Sequence, residues 1–170
     1  CIRALAIVRD RHPDARLVLV GQGSEEDALR QLIAHLNLQE HVSLLHRDPN
    51  FLSDRANQEQ KVRLMQEAWA LLLPSVKEGW GMVVTEAAAC GTPAIVSNVT
   101  GLRDAVRHEE TGLLLDANPT PIQLASAMCR LIEDAPLRVR LSAGARAFSA
   151  QFDWETSYQR FRELLNEKTR

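Results

Sequence analysis

The stretch from Pro74 to Val96, PSVKEGWGMVVTEAAACGTPAIV, restricts the fold more than any other part of the chain. The apolar run Ala70-Leu71-Leu72-Leu73 ends at Pro74, a Gly-rich loop Glu78-Gly79-Trp80-Gly81 follows, and Met82 to Cys90 reads as a helix. Gly91-Thr92-Pro93 supplies a Gly terminator with a Pro behind it, and Ala94-Ile95-Val96 reads as a buried strand. Strand, loop, helix and strand in that order form a βαβ unit, so the two strands are parallel.

The rest of the chain repeats this alternation. Residues Cys1 to Arg11 carry Ile2, Leu5, Ala6 and Arg9 at helical spacing and close at the turn His12-Pro13-Asp14. Arg16 to Val20 is a β-branched run, and Gly21-Gln22-Gly23-Ser24 turns it into a helix from about Glu25 to His35 with Ser24 as its N-cap. Val42 to Leu45 reads as a strand, and a polar loop over 48–60 leads to a helix from Glu59 to Trp69. Its predicted inner face carries Val62, Met65, Gln66 and Trp69, with Met65 and Trp69 as core residues. Thr111 to Asp116 reads as the last strand. Two helices follow, with apolar faces Ile122, Leu124, Ala125, Met128, Leu131, Ile132 and then Leu137, Val139, Leu141, Ala145, Phe148; a terminal helix spans about 154–167. Strands near residues 16, 42, 70, 94 and 113 alternating with helices predict an α/β doubly wound parallel sheet in one domain over 1–170.

The central unit also carries the chemistry. Amides from Gly79 to Val83, through Trp80, Gly81 and Met82, lie where the N-terminus of a helix presents free N–H groups and a positive dipole end, a seat for phosphate. A carboxylate beside a diphosphate would be repelled by it, so Glu86 suits neutral hydroxyls such as the vicinal pair of a ribose, and Glu78 could do the same for a sugar. Gly21-x-Gly23 is not a dinucleotide fingerprint: Glu26 holds the third Gly position, and Glu25-Glu26-Asp27 put negative charge where a pyrophosphate would dock.

The pair Glu78-x7-Glu86, within KEGWGMVVTEAAACGTPAIVSN and followed by GLRDAVRHEETGLLL, resembles the retaining GT-B glycosyltransferases of family 4. The resemblance implies that the fold is the Rossmann-like, C-terminal half of a GT-B enzyme, binding a nucleoside-diphosphate sugar and passing the sugar to an acceptor hydroxyl without a metal or cofactor. By resemblance Glu86 holds the nucleotide ribose, and Glu78, the candidate catalytic residue, approaches the transferred sugar. Gly21 and Gly23 fall on a loop at the edge of the donor cleft, and His46 and Arg47 on a loop that meets the base, as candidates for base or phosphate contact. The sequence departs from the pattern at Gly101 and Asp104, where the family often carries Gly-Gly and then Glu. The family's opening strand, its Gly-Arg loop and a following Lys are absent from residues 1–170. The chain therefore reads as truncated at its N-terminus, lacking the first strand and the whole acceptor domain. In the strand order 3-2-1-4-5-6 the removed strand is central, and the strands at Arg16 and Ala70 flank its place.

A net charge of −2 gives no electrostatic case for nucleic acid. Three cysteines, Cys1, Cys90 and Cys129, without paired ligand spacing indicate neither a disulfide framework nor a zinc site and fit the cytoplasm. No apolar run approaches the roughly 18 residues of a membrane span. The expected partners are a nucleotide sugar and an acceptor glycan, lipid or small molecule bound by the missing domain, which is compatible with peripheral membrane association of the full-length protein. Alternatives are a non-catalytic nucleotide-sugar binding module and a glycan phosphorylase or synthase sharing the fold.

Overall fold

The computed structural model describes residues 1–45 and 55–168. In chain order they form α1 (Ile2–Arg9), β1 (Leu17–Val20), α2 (Glu26–His35), β2 (Val42–Leu45), α3 (Arg55–Glu67), β3 (Leu71–Leu73), α4 (Met82–Ala89), β4 (Ala94–Ser97), α5 (Leu102–Ala105), β5 (Gly112–Leu115), α6 (Pro121–Glu133), α7 (Ala135–Ser149), a 3-10 turn (Ala150–Phe152) and α8 (Trp154–Lys168). Every strand pairing is parallel: β1 with β2, β3 with β4, and β4 with β5.

β4 is the centre. All four of its residues are buried, and they divide by the two-residue period of a strand. Ile95 packs with Leu113, Leu124, Leu131, Leu137 and Leu141, whereas Ala94 and Val96 pack on the opposite side with Val84, Leu102 and Val106. Helices thus cover both faces, as the run of apolar strand residues predicts for a doubly wound sheet.

The sheet is in two pieces, β1-β2 and β3-β4-β5, with no ladder between β1 and β3 among the described residues. These are the two strands predicted to flank a vacated central position, and each is bonded on one side only. Side chains bridge the pieces: Cys1, Ala15, Leu72 and Met128 pack against both the core under β4 and the core of Ile2, Leu5, Leu17, Leu38 and Val42.

Helix ends follow local chemistry. α4 stops in a Schellman arrangement, Gly91 N–H bonding Ala88 C=O and Thr92 N–H bonding Ala87 C=O, with Gly91 at φ 82°. Ser142 Oγ of α7 donates to the Gly91 carbonyl at 2.5 Å and fastens this turn. α6 opens with a capping box between Thr120 and Gln123. Arg130 on α6 forms an ion pair with Glu109 and holds its carboxyl below the usual carboxylate range, chiefly by hydrogen bonding.

Three expectations are corrected. The N-cap of α2 is Glu25, not Ser24, and it makes no side-chain cap bond. α3 runs from Arg55 to Glu67 rather than from Glu59 to Trp69, so Trp69 lies beyond its end, and its inner face is rotated from the predicted one. Met65 is buried, but Val62 and Trp69 are exposed, and Trp69 is a surface ring with the Arg138 guanidinium 4.2 Å from its centroid. Ile122 and Val139 are likewise exposed, because α6 and α7 turn narrower stripes inward. On α8 the apolar residues Trp154, Tyr158, Phe161, Leu164 and Leu165 are all exposed.

Near the opposite end of α6, His12, Cys129 and Glu133 bring three potential metal-ligand atoms within 4.8 Å of one another. The cation there is already a side chain: Arg11 Nη2 lies 2.8 Å from the same Glu133 oxygen that His12 Nε2 contacts. The group reads as a clamp between the α1–β1 turn and α6.

Candidate functional site

Pro121, which follows β5, lines one cavity of about 580 Å³ together with Val20, Gly21 and Leu45, which end β1 and β2. The carboxyl ends of both sheet pieces therefore open on the same side, the side where open α/β sheets bind ligands. The loop after β3 and the loop after β4 meet at this end through two glycines. Gly101, at φ 89°, lies so close to the carbonyl of Gly79 that a Cβ would sit 1.4 Å from that oxygen. Gly81 is the left-handed N-cap of α4 (φ 75°, ψ 54°), and a Cβ there would come 2.6 Å from Leu102 Cδ2. The β3–α4 loop thus rests on the N-terminus of α5; backbone blocks a side chain at Gly101, and the left-handed φ strains one at Gly81.

The N-cap residue of α4, Gly81, has no side chain to cap it, and no side-chain cap is found among the described residues. Its first turn keeps amides that the helix itself cannot bond, at the positive end of the dipole. Met82 projects outward at 65% exposure, Val83 is half-buried, and Gly79 faces open space. Glu78 Oε1 accepts the Gly79 N–H at 3.2 Å, which holds the carboxylate at the loop. The indole of Trp80 is turned toward the C-terminal segment. Its Nε1 donates to Thr85 Oγ1 at 3.1 Å, and its ring meets Phe152 edge-on at 5.4 Å between centroids, with Phe152 against Phe148 in the same manner. What Trp80 offers the cleft is therefore its position in the loop.

Glu86 lies on α4, four residues beyond its start, with its carboxylate Oε2 2.6 Å from Lys61 Nζ of α3. The Lys61 side chain is only 17% exposed, against 41% for Glu86. Sequence reasoning missed Lys61. The signal was present, since Lys61 stands four residues before Met65 and three before Leu64, on the face that α3 turns inward. Cys90, next to this pair, is no thiolate nucleophile, because burial and then the Glu86 charge push its thiol up.

The predicted site residues fall into two groups. Glu78, Gly79, Trp80, Gly81, Met82, Val83 and Glu86 belong to one loop and helix. Gly21 and Gly23 line the cavity beside β1, whose lining contains neither Glu78 nor Glu86. Glu25 and Glu26 share that lining, which makes it a poor seat for a diphosphate. His46 and Arg47 lie outside the described residues.

Comparison with known proteins adds an independent line. The family model described as glycosyl transferases group 1 matches residues 1–148. Curated relatives include D-inositol 3-phosphate glycosyltransferases of Corynebacterium jeikeium, 32% identical over 98% of this chain and 39% of the relative. That of Acidothermus cellulolyticus is 35% identical over 93% of this chain and 35% of the relative. The chain thus spans under two fifths of the length of these relatives. Among solved structures, HepE of Anabaena in complex with UDP matches at a TM-score of 0.80 and 28% identity, covering 98% of this chain and 44% of that one. A sucrose-phosphate synthase from Thermosynechococcus elongatus matches at 0.79 and 28%, covering 99% and 42%.

Proposed function

Because the chain belongs to the glycosyl transferases group 1 family, we propose that it is the donor-binding half of a glycosyltransferase that transfers a sugar, with retention, from a nucleoside diphosphate to an acceptor hydroxyl. The observation that carries this reading is the placement of the Glu86 carboxylate on the same short helix as an uncapped N-terminus. The two are separated by about 6 Å along the helix axis. Ribose hydroxyls donating to Glu86 leave the attached phosphates near the amides of Gly81 to Val83. These amides gain most from charge that grows as the glycosidic bond breaks, which is where they lower the barrier.

Glu78, at the other end of the loop, is assigned to the transferred sugar. Its carboxylate accepts hydrogen bonds from neutral hydroxyls without opposing the phosphates. Gly21 and Gly23 are assigned to the cleft edge, and His46 and Arg47 to the base or the phosphates. The acceptor, whether glycan, lipid or small molecule, is assigned to the remainder of a longer protein. The site is proposed to work in the cytoplasm, where nucleotide sugars and free thiols coexist. A uridine nucleotide is the first ligand to try, since the similar HepE was solved with UDP.

Titration calorimetry of the Glu86→Ala chain with UDP, GDP and ADP tests the reading. The loss expected for whichever binds the unsubstituted chain is about 2 kcal/mol, two hydrogen bonds to a charged acceptor. Unchanged affinity overturns the ribose assignment.

A further inference from the structure

Among the described residues, the strongest polar contact to the proposed ribose carboxylate comes from the protein itself. Lys61 Nζ approaches Glu86 Oε2 to 2.6 Å, and its side chain is far more buried than that of its partner. A half-buried ammonium on the inner face of a helix is costly to place without a role. Outside the pair it adds little to the fold, because the joint it sits in is already fastened. Thr92 Oγ1 of the α4–β4 turn donates to the Met65 carbonyl of α3, and Met65 itself is buried.

We propose that Lys61 is a positioning residue for donor selection: it fixes the Glu86 carboxylate in the one orientation that receives both hydroxyls of a ribose. The inference deepens the function proposed above and rests on its assignment of Glu86 to the ribose. A carboxylate offers about four lone-pair directions. Lys61 uses one on Oε2, leaving Oε1 and the outer side of Oε2 free for two hydroxyl donors. It also removes the rotamer freedom that a partly exposed Glu would otherwise lose on binding, so the ligand meets a prepared acceptor. The ammonium comes from α3 and the carboxylate from α4, so the selectivity of the pocket depends on the seating of one helix against the other.

The test is a double-mutant cycle on the chain, read by calorimetry with UDP, its 2′-deoxy analogue and uridine. Lys61→Met keeps the aliphatic stem and removes the charge. The expected result is about a tenfold loss of UDP affinity from loss of a charge-assisted contact. The ratio of UDP to 2′-deoxy-UDP affinity should fall with it. Uridine should weaken by the same factor as UDP, Lys61→Arg should restore most of the ratio, and Lys61→Met should change nothing further in a Glu86→Gln background. Three results overturn the proposal. The first is an equal loss from Lys61→Met with and without Glu86, meaning that Lys61 acts elsewhere. The second is a loss for UDP with none for uridine, meaning that it contacts phosphate. The third is an unchanged ribose ratio in both Lys61 variants. If Lys61→Met fails to fold, Lys61→Gln takes its place, with the same fall in the ratio of UDP to 2′-deoxy-UDP affinity expected and an unchanged ratio the contrary result. An unchanged ribose ratio in Glu86→Gln itself would instead refute the ribose assignment, whatever Lys61 does.

Discussion

Gly101 shows how much of this site depends on one atom that is missing. Its φ of 89° is unfavourable for any L side chain, and the carbonyl of Gly79 occupies the place of a Cβ. Gly101→Ala should therefore lift the β3–α4 loop off α5. The expected cost is about 2 to 4 kcal/mol of stability in denaturant unfolding, combining backbone strain with overlap, together with loss of nucleotide affinity. Normal stability and binding would show that the two loops are not interlocked. Glu78→Gln probes the other end of the loop. UDP binding should stay nearly intact while affinity for the whole sugar nucleotide drops, because the carboxylate is assigned to the sugar; equal losses for both ligands would make Glu78 a loop support. At this scale the sequence revealed both carboxylates, since their spacing and surroundings are local. It could not reveal Lys61 or the role of Gly101, because each acts on a residue that only the tertiary fold brings near.

Elements whose signals are local were legible to within a residue or two. The Gly91 terminator and the Pro behind it set the end of α4, and the βαβ order set the parallel pairing of β3 and β4. Elements that rely on partners were less so. α3 carries apolar residues on more than one side, and the choice of Val62 and Trp69 for its inner face ranked hydrophobicity above the ion pair and buried Met65 that actually seat it. The strands predict a contrast in amide exchange. β4 is paired on both sides and buried throughout, whereas β1 and β3 are each bonded on one side, and Val18 and Val20 are exposed. Exchange should be slowest in Ala94 to Ser97 and much faster at the unpaired edges of β1 and β3. Protection of β1 and β3 equal to that of β4 would mean that these two strands are paired in solution.

Across the whole chain, side chains bridge the two sheet pieces, and the candidate residues lie in two groups, one at the start of α4 and one in the cavity beside β1. Family membership says what kind of protein this is, and the proposed donor site puts the ribose at Glu86, the diphosphate at the start of α4 and the sugar toward Glu78. The most direct test is an experimental structure of the chain with a bound nucleoside diphosphate. The account predicts ribose hydroxyl oxygens about 2.7 Å from the Glu86 carboxylate and phosphate oxygens about 2.9 Å from amides of the α4 N-terminus, ordinary hydrogen-bond lengths. A nucleotide seated with its phosphates against Glu25 and Glu26, or with its ribose out of reach of Glu86, would contradict it.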